Sequence, residues 1–181
     1  MINCSFENGN KNFLRHVVVD MLVVRDDQLL LVKRAPHLTN GNLYALVGGF
    51  VEQGETTQEA ALREIREETG YEAEIVRLFR LNDNPNRRGE DRQNISFVYL
   101  VKPLKKVATP DKEVKEIKWF DLDKLPSQEE FAFDHLESIQ FYLQHLKTPF
   151  QLPIIGKQII RTYSLRPAPS WRLFEPGRLR K

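Results

Sequence analysis

The chain has 181 residues, 41% of them hydrophobic, which is enough apolar material for one ordinary globular core and little for a second. A single cysteine, Cys4, excludes an internal disulfide and a Cys-rich zinc site, and neither a signal-peptide-like start nor a membrane-length apolar run is found, so a cytoplasmic protein without a membrane partner is expected. The net charge of +2 is unevenly spread, because residues 150–181 hold seven Lys/Arg against Glu175 alone while the rest of the chain is mildly acidic; such a basic end suits nucleic acid, another subunit or an anionic substrate, and charge does not choose among them.

Residues 16–24 are β-branched and apolar, Arg25-Asp26-Asp27-Gln28 is a turn, and residues 29–34 resume the pattern, predicting a β-hairpin with buried strands. A polar loop with Pro36 and Gly41 leads to a short strand over 44–47, a turn at Gly48-Gly49 and an extended stretch over 50–52. Thr56 or Thr57 as N-cap, Glu59 in the first turn and Gly70 at the C-terminal end predict a helix over 57–69, with Ala60, Ala61, Leu62 and Ile65 as its apolar face. Strands are predicted over 74–79, 95–101 and 117–120, with a polar loop over 82–94 between the first two. A second helix over 134–146 carries Leu136, Ile139, Phe141, Tyr142, Leu143 and Leu146. Beyond Thr148-Pro149 the sequence turns basic and Pro-punctuated, with a further strand over 158–163. The division expected is a domain over 1–148 and a basic extension over 149–181, the latter too short for its own core. Strands mixed with two helices imply a mixed sheet covered by helices.

The chemistry is concentrated in Arg63-Glu64-Ile65-Arg66-Glu67-Glu68, near the end of the first helix. Glu64, Glu67 and Glu68 stand at i, i+3 and i+4, so their carboxylates share one face at the negative end of the helix dipole. Stability does not ask for that arrangement, since like charges so spaced cost a few tenths of a kcal/mol per pair. A hard divalent cation does, because Mg²⁺ is bound by carboxylate oxygens and completes its shell with water and substrate phosphate. The plainer alternative is a solvated Arg/Glu face with i,i+4 pairing, such as Arg63 with Glu67.

The residues around the helix extend the pattern. Gly49, five residues, Glu55, seven residues, then Arg63-Glu64-Ile65, Glu67-Glu68 and Gly70 reproduce the Nudix box, and over the 23 residues 49–71 the chain resembles the Nudix hydrolase family. One departure is Tyr71, where the family has an aliphatic residue. The resemblance implies an α/β fold, an α/β/α sandwich with a mixed sheet and a loop–helix–loop box. It also implies that Glu64, Glu67 and Glu68 bind metal or its water, that the Gly48 carbonyl adds a ligand, and that Arg63 and Glu55 orient the box. The implied cofactor is Mg²⁺, with Mn²⁺ as substitute.

Outside the box, Lys33-Arg34, the Gly48-Gly49 turn, Trp119-Phe120-Asp121 and Phe133-Asp134-His135 look like the ADP-ribose pyrophosphatase branch, although Val47 stands where that branch has Pro. The substrate this implies is a nucleoside diphosphate-linked small molecule such as ADP-ribose, cleaved to AMP and ribose 5-phosphate. Alternatives are an RNA 5′-pyrophosphohydrolase, a nucleoside triphosphate pyrophosphatase, or a non-catalytic nucleotide-sensing regulator. Arg34, Arg87, Arg88 and Arg92 are candidate phosphate clamps, because guanidinium pairs with phosphate through two parallel hydrogen bonds. Phe50, Tyr44 and Phe133 are candidates to stack on a base, or core residues. His135 is either a polar contact or simply the start of a helix. The general base stays open among Glu64, Glu113 and Glu116, and the tail either joins a sheet edge, makes a homodimer contact, or meets substrate.

Overall fold

A computed structural model describes residues 1–89 and 92–156. It opens with a two-stranded antiparallel hairpin, β1 (Ile2–Ser5) and β2 (Lys11–Leu14), which sequence patterning did not predict. The signal for it lies in Asn8-Gly9, a hairpin-turn pair: Gly9 is left-handed at φ 81°, and the Phe6 and Asn10 backbones are bonded across the turn at 2.9 Å.

Among the described residues the main sheet has eight strands. Its centre is β3 (Val17–Arg25), which forms a hairpin with β4 (Gln28–Arg34) only at the turn end, from Val23↔Leu30 to Arg25↔Gln28. Beyond that point the two strands part, and residues 44–50 fill the fork. Their first half, β5 (Tyr44–Ala45), pairs with β4, whereas their second half, β6 (Val47–Phe50), pairs with β3, and Leu46 lies at the changeover. Gly48 and Gly49, predicted as a turn, are therefore strand residues opposite Asp20 and Val19. After the first helix come β7 (Tyr71–Asn82), β8 (Ile95–Lys106) and β9 (Val114–Asp121), each longer than its sequence prediction. β8 runs parallel to β3, β7 antiparallel to β8, and β9 antiparallel to β4, so the sheet is mixed. The short β10 (Ile154–Ile155) adds itself parallel to β7. Residues 149–156 of the expected extension thus run back along the sheet, while the strand predicted over 158–163 falls outside the described residues.

Alternation along the central strands gives the sheet two buried faces. Val19, Met21, Val23, Leu30 and Val32 point to one side, where α1 (Thr57–Thr69) lays Ala60, Ala61 and Ile65 on them. Leu22, Leu29 and Leu31 point to the other, where α2 (His135–Lys147) covers them with Ile139 and Tyr142. The result is the α/β/α sandwich that the sequence implied. Leu62, assigned to the apolar face of α1, is instead 39% exposed, because the buried stripe turns through Ala61, Ile65, Glu68 and Thr69. Neither helix is long and apolar enough to cross a membrane.

The boundaries of α1 are set locally. Thr56 caps the Glu59 N–H while the Glu59 carboxylate accepts from the Thr56 N–H at 2.8 Å, a reciprocal capping box. Gly70 ends the helix in the left-handed region at φ 76°, and its carbonyl accepts from Val107 and Ala108. That contact ties the end of the helix to the loop between β8 and β9.

Candidate active site

Arg63 organises the carboxylates of α1. Its guanidinium donates to Glu55 at 2.7 and 3.1 Å, to Glu64 at 2.8 Å, to Glu67 at 3.0 Å and to the Phe50 carbonyl at 3.0 Å. The Glu55 hydrogen bond is the largest reason that the Arg63 charge is held more firmly than usual, and the same contact pulls the partly buried Glu55 carboxyl below its ordinary range. One rigid fork thus joins the loop before the helix, the helix itself and the end of β6.

Glu68 follows a different logic. It lies on the buried stripe of α1 and, among the described residues, makes no ion pair and accepts from the Gly48 N–H alone, at 3.0 Å. Burial pushes its carboxyl well above the usual range; the Gly48 bond opposes that, the Glu64 and Asp111 charges add to it, and Arg34 opposes it weakly. Glu64 is also raised, first by burial, with Arg63 opposing and Glu67 and Glu113 adding. A Cβ at Gly49 would stand 2.2 Å from the Glu64 Oε1 and displace that carboxylate, whereas one at Gly48 would meet the Val19 backbone carbonyl oxygen at 2.2 Å, which makes glycine the residue that fits there.

These groups line one side of a cavity of about 460 Å³. The Asp111 N–H donates to the Glu67 carbonyl at 2.9 Å, which brings Asp111 and Glu113 to the wall facing the α1 carboxylates. Arg34, from the end of β4, and Arg92 supply positive charge on the other walls. The Arg34 Nε is anchored on the Thr39 carbonyl at 2.9 Å, and its guanidinium sits 5.2 Å from the centre of the Phe133 ring. The floor contains a buried polar cluster that sequence reading missed, built on Asp20 of β3. Asp20 accepts a very short bond from the Ser96 hydroxyl, and Arg87 and the His135 Nε2 approach it at 3.8 and 3.4 Å. Arg87 is chiefly paired with Asp134, at 2.7 and 2.9 Å. Burial raises the Asp134 carboxyl, but the Arg87 bond and charge outweigh it and the net shift is downward.

The candidate residues sort clearly against this geometry. Gly48, Glu64, Glu67, Glu68, Arg63, Arg34, Phe50, Arg87 and Glu113 all border the cavity, as do Arg92, Phe133 and His135. Arg87, read as a candidate phosphate clamp, borders the cavity with a side chain 2% exposed and holds Asp134 through its Nη2 at 2.7 Å. Arg88 points instead into a second, shallower cavity beside Asn84, Asn86 and Gln140. Glu116 stays exposed on β9 opposite Lys33, away from the cavity, and Tyr44 is core, edge-on to Phe120 at 5.0 Å. Asp20 went unnoticed because a lone acid in an apolar strand reads as a pattern break; that break was the available signal.

The donor chemistry fits a divalent cation. Three carboxylates face one cavity, and the buried Glu68 lies among like charges with Arg34 as its weakly acting counter-charge and no ion pair among the described residues. Among the described residues no three His, Cys, Asp or Glu side chains stand together closely enough to hold a metal ion by themselves. An open carboxylate shelf of this kind matches an ion that keeps waters and takes phosphate oxygens, not one sealed in a protein cage.

Carboxylates suited to a hard cation and guanidinium groups suited to phosphate thus line one cleft between α1 and the sheet. A family model of the NUDIX domain matches residues 14–142, and the chain belongs to that family, the Nudix hydrolases. It is 37% identical over 128 residues to the ADP-ribose pyrophosphatase of Methanocaldococcus jannaschii, covering 71% of this chain and 73% of the relative. Other curated relatives are longer, and the chain spans under half their length. Among solved structures, a NUDIX hydrolase from Nitrosomonas europaea matches with a TM-score of 0.70 at 21% identity, over 86% of this chain and 92% of that one, a likeness of fold. A bifunctional NMN adenylyltransferase/ADP ribose pyrophosphatase from Francisella tularensis, complexed with AMP and a manganese ion, matches at 28% identity with a TM-score of 0.56, covering 74% of this chain and 42% of that one.

Proposed function

We propose that the chain is a divalent-cation-dependent pyrophosphohydrolase of nucleoside diphosphate derivatives, with ADP-ribose as its leading substrate and AMP and ribose 5-phosphate as products. The observation that carries this is Glu68, a buried carboxylate with no ion pair among the described residues, beside Glu64 and Glu67 in a cavity that Arg34 and Arg92 also line. Substrate choice is supported by the M. jannaschii relative and by the AMP and manganese of the F. tularensis structure.

Glu64, Glu67, Glu68 and the Gly48 carbonyl are the groups that would hold Mg²⁺ or Mn²⁺. Such an ion supplies charge neutralisation for the pyrophosphate and lowers the pKa of an attacking water. The protein's own residues do the rest. Arg34, preset by Thr39 and Phe133, holds a phosphate oxygen, and Arg63 keeps the carboxylates from splaying. Water attacks one phosphorus, the bridging P–O bond breaks, and the departing phosphate leaves with that oxygen. The water's proton passes to a carboxylate; Glu64 and Glu113, which border the cavity, are favoured over Glu116, which does not.

Release of AMP and ribose 5-phosphate from ADP-ribose, followed by chromatography with Mg²⁺ present, tests the reading. A panel of NADH, dinucleoside polyphosphates, dNTPs and triphosphorylated RNA runs alongside. Turnover of ADP-ribose well above the panel supports the assignment. Preference for another member keeps the hydrolase and discards ADP-ribose, and inactivity on all of them transfers weight to a nucleotide-sensing role.

A further inference from the structure

The changeover between β5 and β6 creates a problem that hydrogen bonding must solve. Ala45 is still registered with Val32 of β4 and Val47 is already registered with Met21 of β3, so the Leu46 amide falls where neither strand reaches. Leu46 is 2% exposed, and a buried N–H without an acceptor is costly. The acceptor comes from across the sheet: the Leu46 N–H donates to the His135 Nδ1 at 3.0 Å, over 89 residues of sequence. Two residues later the Gly48 N–H donates to Glu68 at 3.0 Å.

We propose that His135 is a positioning residue of the active site, whose Nδ1 fixes the Leu46 peptide and so sets where the Gly48 backbone and the Glu68 carboxylate meet. The proposal rests on the reading of Gly48 and Glu68 as cation-holding groups. Several features show a ring held for this purpose. His135 is 6% exposed and is the first residue of α2, on the sheet face opposite α1. Its Nε2 lies 3.4 Å from the side-chain Oδ1 of Asp20, the strand partner of Gly48, so the ring stands between the Leu46 amide and the residue registered with Gly48. Orientation by a carboxylate at one nitrogen fixes which nitrogen is the acceptor. Burial also lowers the His135 pKa, which keeps the Nδ1 lone pair available. The preceding Phe133 sits in the left-handed region at φ 53°, a conformation a bulky residue adopts only when the surroundings hold it there. That kink starts the helix with His135 aimed at the fork.

Asparagine offers Oδ1 at the same two-bond reach from Cβ as Nδ1, whereas leucine fills the space without an acceptor. The test therefore compares His135→Asn with His135→Leu, reading Mn²⁺ affinity of the protein alone by electron paramagnetic resonance, kcat and KM separately, and thermal midpoint. His135→Leu is expected to weaken Mn²⁺ binding by about 10-fold or more and to lower kcat with KM near wild type, as supporting-shell losses do. His135→Asn is expected to recover most of both. Equal Mn²⁺ affinity and kcat in the leucine variant at temperatures where it is folded overturns the proposal, and so does an asparagine variant as impaired as leucine. Should the leucine variant not fold, a coupling across the hydrogen bond between the Leu46 amide nitrogen and the His135 Nδ1 in ¹⁵N-labelled wild type decides the matter, its absence refuting the contact. Failure of the wild type itself to bind Mn²⁺ overturns the cation reading together with this one, a result distinct from intact binding in the variants.

Discussion

At Glu68 a carboxylate occupies the same helical stripe as Ala61 and Ile65, where a hydrophobic residue would stabilise the fold. The site tolerates this because the Gly48 N–H gives partial compensation and because a bound cation would supply the remainder. A carboxyl raised above its ordinary value binds its proton more tightly folded than unfolded, so in the chelated, metal-free protein Glu68 subtracts stability as pH climbs from about 4.5 through the folded value. Glu68→Gln should accordingly flatten the fall of thermal midpoint over that window, measured in EDTA. The same substitution should cut kcat by about 100-fold or more, since a carboxylate acting directly on the reacting charge is worth several kcal/mol. A variant as active as wild type would remove Glu68 from the cation site. Arg63→Lys is a complementary case at this scale. Lysine keeps the charge but cannot reach Glu55, Glu64, Glu67 and the Phe50 carbonyl from one plane, so kcat should fall several-fold or more while the circular dichroism spectrum stays unchanged.

Among the elements, α1 was legible because everything that defines it is local: a capping box over four residues, a glycine at the end and carboxylates one turn apart. Gly70 shows how strict such a boundary is. A Cβ there would lie 2.0 Å from the Ala108 carbonyl oxygen, and φ 76° disfavours any L side chain. Gly70→Ala should therefore cost about 1–2 kcal/mol or more in urea unfolding and loosen the loop carrying Asp111 and Glu113. The fork in the sheet was not legible. Its parts are separated by long stretches of chain, as in Leu46 with His135 or Asp20 with Ser96, and no periodicity reports a contact across so many residues. The partner of Arg87 was hidden for the same reason: a guanidinium in a polar loop looks solvated until Asp134 is brought to it from the start of α2. Arg80 is a second such side chain. It is fully buried in β7 and tied to Ser138, Glu137 and the Gly156 carbonyl, so it joins strand, helix and β10 at one point. Arg80→Ala should lower unfolding free energy by about 3 kcal/mol, the scale of breaking a buried ionic contact, and should do so without changing KM.

For the molecule as a whole, the site's cost to stability and its function are two sides of one linkage. The cavity gathers Glu64, Glu67, Glu68, Asp111 and Glu113 on neighbouring walls, and Arg63 offsets only those it touches. A ligand that binds the folded chain and not the unfolded one raises stability by an amount set by its concentration over Kd, about 2.7 kcal/mol at 100 times Kd. Mg²⁺ or Mn²⁺ should thus raise the thermal midpoint of the wild type progressively with concentration, whereas Na⁺ at matched ionic strength should do much less, because screening acts weakly on buried charge. The effect should nearly vanish in Glu68→Gln, whose metal-free midpoint starts higher. Calorimetric scans of both proteins across a Mn²⁺ series check this directly. Parallel rises in the two would mean that the ion binds elsewhere, and the assignment of the α1 carboxylates would fall with it.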